Sequence, residues 1–497
     1  MKPGPHVTNL KPEAPPPDIA EAHAFAPPPA GVGGLDVDDA TLWQQLYPEH
    51  LATLRARLDS LCAVQGLSAV VVPAGEAPLY AFDDQPVPFR ANPHFLHWLP
   101  ALDSSGSVLL LAPGATPELL FLKPEDYWHQ PPPVPAPAAG NFTVSTFATR
   151  EALSKALHER LARLERASSA SRPNGRIVFI GEDDLPLPAD ATRNPPAVLA
   201  ALHYARAVKS PFELVCLLRA SQRAACGHQA VAAAFTGGGR ANSTEFSLHQ
   251  AYLSASSQTA ADLPYSSIVA LNEHAGVLHY QHYDRRPPVP VRSLLIDAGA
   301  SWSGYASDVT RTYAAVPGLF ADLIAAVTRE QQALIATIRP EQSYLHLHAD
   351  MHRRICGVLS EAGVFRCSAE EACAKGLSEA FFPHGLGHLL GLQTHDVGGL
   401  FVNAAGEIRE PPDNYAALRL TRPLEVGQVF TIEPGIYFID MLLEPLLASA
   451  HGRLLDAAAI EALKPCGGIR IEDNVAVTSA EPLNLTRYGF EHPEHHQ

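Results

Sequence analysis

Five side chains of the metal-ligand type lie in short segments with strong strand and turn signals. They are four carboxylates and one imidazole: Asp297, Asp308, His388, Glu433 and Glu472. Oxygen ligands with a single imidazole suit hard divalent cations, and four carboxylates are enough to bind two of them. The chemistry of such a site is metal-assisted hydrolysis, in which a cation polarises a carbonyl and activates water. The fold must therefore bring together groups that are far apart in the chain.

The first two carboxylates flank a predicted β-hairpin. An apolar run ends at Asp297, and an alternating run that contains Asp308 follows after turn-forming serine and glycine residues. A hairpin that closes at Trp302 and Ser303 would place Asp297 opposite Asp308, with Thr310 on the same face as Asp308. Two carboxylates held so close repel each other unless cations lie between them.

The other three groups lie in equally regular segments. Glu433 ends a predicted strand at a Pro-Gly turn, and alternation in the later segment GGIRIEDNVAV places Arg470, Glu472 and Asn474 on one face. His388 lies in a glycine-rich stretch that permits close approach of neighbouring backbone. A single acidic residue beside a turn is more often a solvated or capping group than a ligand. The joint occurrence of all five segments nevertheless favours a metal site.

These segments resemble the metal-site motifs of the pita-bread metallopeptidases. The most specific stretches are PYSSIVALNEHAGVLHY, DAGASWSGYASDVTRT, PHGLGHLLGLQTHDVGG, TIEPGIYF and GGIRIEDN. Within that family the chain is similar to the bacterial prolidases, which are Xaa-Pro dipeptidases, over residues 46–488. The long insertion between Glu433 and Glu472 resembles prolidases and the related organophosphorus acid anhydrolases rather than aminopeptidase P.

The resemblance implies a role for each ligand. Asp297 would bind one cation bidentately, and Asp308 and Glu472 would bridge two cations. His388 and Glu433 would complete the second cation's ligands, and Glu433 would also carry a proton to the departing proline nitrogen. We expect two divalent cations per subunit, with Mn²⁺ preferred by this hard ligand set.

The resemblance also implies contacts with the substrate. His279, His384 and His395 correspond to the family's active-site imidazoles. Arg419 corresponds to the arginine that binds the terminal carboxylate of the dipeptide. A guanidinium fork suits this task because it donates two parallel charge-assisted hydrogen bonds.

Further contributors follow from the same resemblance. Arg470 would orient Glu472, and Tyr265 would form a wall of the pocket. Asp84 and Trp98 would close the site from a partner protomer, so we expect a homodimer.

The implied activity is hydrolysis of Xaa-Pro dipeptides with release of proline. The bond before proline is a special target because the proline nitrogen carries no hydrogen. Three alternatives remain: an aminopeptidase P that acts on longer peptides, a side activity on organophosphate triesters, and a metal-free binding or scaffold protein.

Composition excludes some other classes of function. The 36 basic and 52 acidic residues give 36 − 52 = −16, without a dense Lys/Arg patch, so a nucleic-acid binder is not expected. The seven cysteines are scattered and contain no CxxC pair, which favours a reducing compartment. No apolar run reaches the roughly 20 residues that span a bilayer, so we expect a soluble cytoplasmic protein without membrane contact.

The length of 497 residues predicts two structured domains of mixed α/β (α+β) class. We expect a flexible Pro/Ala-rich extension at 1–38, a creatinase/prolidase-like N-terminal α/β domain at 39–200, a pita-bread catalytic domain at 201–490 and a disordered tail at 491–497. In the N-terminal domain, helices are predicted at 41–65 and 150–167, and strands at SAVVVP, VLLLAP, ELLFL and RIVFIGE. A capping box at Ser210 and Glu213 predicts the start of a long helix in the catalytic domain.

Overall fold

The computed structural model describes residues 31–171, 176–185, 188, 191–237 and 243–493. Most of the predicted extension and of the predicted tail lies outside these residues. The end of the predicted extension, however, is packed against the folded protein. Val32–Leu35 forms a 3₁₀ turn, Leu35 is only 2% exposed, and the Asp36 carboxylate accepts a hydrogen bond from the Tyr488 hydroxyl at 3.0 Å.

The N-terminal half is built on a mixed sheet of six strands. In chain order these are β1 Leu67–Pro73, β2 Val108–Leu111, β3 Glu118–Leu122, β4 Thr143–Phe147, β5 Arg176–Phe179 and β6 Thr192–Arg193. Their order in the sheet is β4-β3-β2-β1-β5-β6, with β2 antiparallel to both of its neighbours. The four strands predicted from apolar runs are confirmed. The polar edge strands β4 and β6 were not predicted, because none of their side chains is buried.

Helices cover both faces of this sheet. They are α1 Asp39–Thr41, α2 Tyr47–Gln65, α3 Pro93–Trp98, α4 Arg150–Ser171 and α5 Pro196–Arg206. The predicted helix at 41–65 is α1 and α2 joined by a π turn at Leu42–Leu46. Leucines at helical spacing on α2 pack on one face of β1, and Leu153, Leu157 and Leu161 of α4 pack on the other.

The C-terminal half begins with the buried helix α6, Pro211–Thr236. The predicted capping box is present: Ser210 Oγ accepts from the Glu213 amide at 3.2 Å, and a Glu213 carboxylate oxygen accepts from the Ser210 amide at 2.9 Å. The later helices are α7 Glu245–Ala255, α8 Leu319–Ile335, α9 Tyr344–Glu361, α10 Ala369–Ala374, α11 Asp440–Ala448, α12 Ala457–Leu463 and α13 Leu485–Glu491. Among the described residues, no helix is both long and apolar enough to cross a membrane.

Antiparallel strands hold the centre of this half. They are β7 Ile268–Leu271, β8 Ser293–Asp297, β9 Ser301–Trp302, β10 Tyr305–Ala306, β11 Thr310–Ala314, β12 Val429–Ile432, β13 Gly435–Tyr437, β14 Gly468–Arg470, β15 Asp473–Ala476 and β16 Leu483–Asn484. The hydrogen-bonded groups are β11-β8-β7, β12-β15-β16, β13-β14 and β10-β9. A bridge between Thr310 and Glu472 joins the first group to the segment between β14 and β15. The mixed α/β class is confirmed.

The register of the predicted hairpin differs from the expectation. The chain reverses at Ser303 and Gly304, whose φ angles of 51° and 86° fit a turn with two left-handed residues. Because the reversal comes one residue later than predicted, Asp297 pairs with Thr310 rather than with Asp308. A shift of two positions keeps the same face, so Asp308 still lies diagonally near Asp297.

Candidate metal centre

A cleft of about 1440 Å³ lies between the N-terminal domain and the strands of the C-terminal domain. Its wall contains Asp297 and Asp308 together with Tyr265, His279 and His395. The N-terminal domain contributes the opposite wall through the loops that follow β1 and β5 and through the start of α3. The first two predicted ligands therefore lie where a small molecule can enter between the domains.

Tyr265 connects the first two carboxylates. Its hydroxyl lies 2.7 Å from an oxygen of Asp297 and 2.5 Å from an oxygen of Asp308. Both carboxylates are less than 10% exposed, and burial together with the charge of Asp297 raises the pKa of Asp308. The predicted pocket-wall residue Tyr265 is thus in direct contact with two predicted ligands.

His388 lies between two more carboxylates. Its Nε2 atom is 3.4 Å from Asp308 Oδ2 and 3.6 Å from Glu433 Oε1. Its Nδ1 atom must donate to the Leu389 carbonyl at 3.0 Å, because a carbonyl oxygen can only accept. The ring is therefore held with Nε2 directed to the carboxylates, which is the arrangement that a metal-binding histidine needs.

Glu472 completes the group. Its Oε2 atom accepts a hydrogen bond from Thr310 Oγ at 2.6 Å. Ligand atoms of Asp308, His388 and Glu472 all lie within 4.8 Å of one another, and the three residues are buried. The structure thus brings all five predicted ligands together, with Asp297 joined to the others through Tyr265.

The negative charges of the buried carboxylates destabilise one another unless positive charge is added. Burial raises the pKa of Glu433 to about 7, and burial with the charges of Asp308 and Glu433 raises the pKa of Glu472 well above its usual range. These directions show that packing several ionised carboxylates in one buried place is unfavourable without cations. Oxygen donors with one imidazole, spaced for shared ligation, fit divalent cations of the hard class.

The role predicted for Arg470 needs correction. Its guanidinium does not contact Glu472 but donates to Asp297 Oδ2 at 2.6 Å and to the Tyr437 hydroxyl at 2.8 Å. The side chain extends from β14 to β8, so the carboxylate that it binds directly is Asp297, and its Nε atom donates to Thr310 Oγ1 at 3.2 Å on the way. Its predicted link to Glu472 therefore runs through Thr310. The residue that orients Glu472 is Thr310.

The predicted substrate imidazoles surround the ligands. His384 Nδ1 lies 3.6 Å from Glu433 Oε2, and His395 meets His388 edge to face with ring centroids 4.3 Å apart. Burial and the nearby Arg470 charge lower the pKa of His384 to about 3, so this ring is neutral. His279 is exposed in the wall of the cleft, which also contains His395.

The remaining predicted residues lie further out. Arg419 is exposed, does not line the cleft, and carries a charge that acts on His395. Asp84 is exposed on a turn of the N-terminal domain. Trp98 is only 7% exposed because it packs in the N-terminal core, and its carbonyl accepts from the Tyr47 hydroxyl. Neither Asp84 nor Trp98 lines the cleft of this protomer.

Sequence reasoning missed two residues that support the site. Tyr437 accepts from Arg470 and lies 2.9 Å from His384 Nε2, so it links an imidazole to the guanidinium that holds Asp297. Thr431 donates through its hydroxyl to Glu433 at 3.2 Å and accepts from the His388 amide at 3.1 Å. A signal existed for both, because Thr431 and Tyr437 lie in the strand-turn-strand segment around Glu433, where alternate residues share its face.

Two models of known protein families together match most of the chain. The model described as Metallopeptidase family M24 matches residues 215–479, and the model described as Xaa-Pro dipeptidase, N-terminal domain, matches residues 45–204. A protein of Xanthomonas euvesicatoria named Xaa-Pro dipeptidase is 45% identical over 447 residues, which are 90% of this chain and 98% of that protein. A protein of the same name from Stenotrophomonas maltophilia is 43% identical over 446 residues, covering 90% and 97%.

Solved structures of similar fold include two aminopeptidases. The aminopeptidase PepP of Pseudomonas aeruginosa has a TM-score of 0.66 at 23% identity, covering 89% of this chain and 94% of that chain. Zinc-substituted aminopeptidase P of Escherichia coli, in complex with product, has a TM-score of 0.64 at 22% identity, covering 90% and 95%. At these identities the likeness concerns the fold alone, and it confirms the expected pairing of an N-terminal domain with a pita-bread domain.

Proposed function

The chain belongs to metallopeptidase family M24, and on that basis we propose that it hydrolyses Xaa-Pro dipeptides with the help of divalent cations and releases proline. The observation that carries the proposal is the buried group of Asp308, His388 and Glu472, with Asp297 and Glu433 beside it at the edge of the interdomain cleft. The substrate class is supported by the 45% identity, over 90% of the chain, to a protein named Xaa-Pro dipeptidase.

The residues that would hold the cations are Asp297, Asp308, His388, Glu433 and Glu472. We infer two cations per subunit, with Mn²⁺ as the preferred ion, because four carboxylates and one imidazole form a hard donor set. Cations bound here would supply Lewis acidity, which polarises a carbonyl and makes water nucleophilic near neutral pH.

The protein's own side chains would bind the dipeptide and deliver a proton to its proline nitrogen. Arg419 presents an exposed guanidinium near His395, which suits the terminal carboxylate of the dipeptide. His279, His384 and His395 would contact the substrate around the scissile bond. The proline nitrogen has no hydrogen and must gain one to leave, and Glu433 is the group that would deliver it.

Assembly and location complete the proposal. We infer a cytoplasmic homodimer whose subunits consist of an N-terminal domain at 39–200 and a catalytic domain at 201–490. The seven cysteines are scattered along the chain without a CxxC pair, which suits a reducing compartment. Exposure of Asp84 is compatible with its contact to a partner's cleft. Light scattering of the purified protein measures its mass in solution, and a monomeric mass would refute the proposed dimer.

The substrate class is tested with matched peptides. Purified metal-free protein is supplied separately with Mn²⁺, Co²⁺, Zn²⁺ or Mg²⁺ and assayed on Ala-Pro, Ala-Pro-Ala and a phosphotriester. We expect turnover of Ala-Pro, greatest with Mn²⁺, and little turnover of the tripeptide. Preferential cleavage of Ala-Pro-Ala would instead establish an aminopeptidase P. A pure protein without metal and without turnover in any mixture would establish a scaffold.

The carboxylate contact is tested by Arg419→Ala, with Arg409→Ala as the control. Both arginines are exposed, and the charge of Arg419 acts on the His395 ring. We expect Arg419→Ala to lower kcat/KM on Ala-Pro by about 100-fold, mainly through KM, since it removes two charge-assisted hydrogen bonds. Arg409→Ala should behave as the unmodified protein. Equal kinetics for the two variants would refute the role of Arg419 in binding the terminal carboxylate of the dipeptide.

A further inference from the structure

A buried carboxylate outside the metal centre organises the loop that carries His279. Glu245 is the first residue of α7, and its side chain is 0% exposed. Its two oxygens accept four hydrogen bonds, one from the last residue of β7 and three from the segment that follows. A buried carboxylate with every lone pair directed to a donor of one loop fixes the shape of that loop.

The four donors are spread along the loop. One carboxylate oxygen accepts from the Leu271 amide at 2.9 Å and from His274 Nδ1 at 2.8 Å. The other accepts from the Tyr280 hydroxyl at 2.7 Å and from the Asp284 amide at 2.8 Å. Glu245 therefore ties both ends of the segment 271–284 and two points within it to a single helix.

His279 lies inside this span, next to a side chain that Glu245 anchors. The Tyr280 ring is 6% exposed and stacks on His274 with centroids 4.5 Å apart, so it points into the protein. The neighbouring His279 is exposed in the wall of the cleft that contains Asp297 and Asp308. Within the segment, backbone hydrogen bonds run from the Val277 amide to the His274 carbonyl and from the Tyr280 amide to the Val277 carbonyl. One further backbone bond reaches α7, from the Phe246 amide to the Asp284 carbonyl at 3.2 Å, so the side chain of Glu245 supplies the other α7 contacts described above.

Glu245 is not free to serve as a ligand itself. Glu245, His274 and Asp284 have the spacing of a small cation site, but both oxygens of Glu245 are already occupied by donors, including two backbone amides. Amide hydrogens directed at a carboxylate leave no room for a cation in the same directions. The arrangement is thus one of loop anchoring.

We propose that Glu245 is a positioning residue that sets the place of His279 in the cleft through Tyr280 and the ends of the 271–284 loop. The inference rests on the proposed function for its kinetic readout only. A glutamine at this position would turn one acceptor oxygen into an NH₂ group facing two donors, so part of the loop would separate from α7.

The kinetic test is a double-mutant cycle on Ala-Pro hydrolysis with Glu245→Gln, His279→Ala and the double variant. Glu245→Gln should lower kcat/KM by about 10- to 100-fold, the range that small displacements of a catalytic group produce. In the His279→Ala background the same change should cost no more than about twofold. Losses that multiply in the double variant would overturn the proposal, since Glu245 would then act on stability and not on His279.

Glu273→Gln is the matched control, because Glu273 lies in the same loop with an exposed side chain. Its kinetics should be unchanged. Should Glu245→Gln not fold, Tyr280→Phe removes one of the four donors, and its smaller loss must also vanish in the His279→Ala background.

Hydrogen exchange gives a readout that does not depend on activity. In Glu245→Gln, amides of the 271–284 loop should exchange faster, while those of α9 stay unchanged. Unchanged exchange in the loop refutes the anchoring role. If the protein hydrolyses no Xaa-Pro peptide, the proposed function fails, but the exchange experiment still decides whether Glu245 holds the loop.

Discussion

The stability of the catalytic domain should fall between pH 6.5 and pH 4, and His228 provides a clean measure of the effect. His228 is fully buried on α6, and its Nε2 atom donates to the Ala298 carbonyl at 2.9 Å. Burial lowers its pKa from 6.5 to about 4. The unfolded chain takes up a proton below pH 6.5 while the folded protein does not, so stability rises with pH across this window.

The size of the effect follows from the shift. At pH 4 the histidine costs about 3 kcal/mol relative to neutral pH, because one pKa unit corresponds to about 1.4 kcal/mol. This is a large share of the roughly 5 to 15 kcal/mol that stabilises a folded domain. The change His228→Gln keeps an NH donor for the Ala298 carbonyl and removes the titration. Its free energy of unfolding should therefore decrease less than that of the unmodified protein on acidification.

The assay is urea unfolding of the metal-free protein, followed by circular dichroism at about pH 7 and about pH 4.5. His346→Gln is the control, because His346 is exposed on α9. We expect the difference between His228→Gln and the unmodified protein to change by about 2 to 3 kcal/mol between the two pH values. A difference that is the same at both pH values would refute the reasoning. A pH-dependent difference for His346→Gln would show that the assay reports something other than burial.

Two further changes test other contacts. Thr310→Val removes the hydroxyl that donates to Glu472 at 2.6 Å, so the affinity for Mn²⁺ in a chelator competition should fall about 10-fold. Equal affinities of the variant and the unmodified protein would contradict this prediction. Gly391→Ala would place a methyl group 2.1 Å from a carboxylate oxygen of Asp396, and should lower stability by about 1 to 3 kcal/mol in thermal unfolding. The matched change Gly357→Ala meets nothing within 4 Å on helix α9 and should raise stability by up to about 1 kcal/mol.

The elements that could be predicted are those with strong local signals. Buried strands such as β1 and β2 have continuous apolar runs, and α6 starts at a complete capping box. The polar edge strands β4 and β6 lack such a signal, because their pairing comes from the neighbouring strand rather than from burial of their own side chains. The packing of Leu35 at the end of the predicted extension was missed for a related reason. A proline- and alanine-rich composition indicates that a segment cannot form a buried core by itself. Leu35, however, is buried by contacts with the rest of the protein.

The site shows the same division between local chemistry and register. The ligand types could be recognised because each must be a carboxylate or an imidazole, whatever surrounds it. Their partners depend on strand pairing, and one residue of difference in the turn at Ser303 and Gly304 changes which residue faces Asp297. Thr310 contacts Glu472 directly, whereas Arg470 donates to Asp297 and is linked to Glu472 through the Thr310 hydroxyl. It follows that variants of these supporting residues, rather than of the ligands, are the sharper test of this fold, because only the three-dimensional register predicts which carboxylate each of them affects.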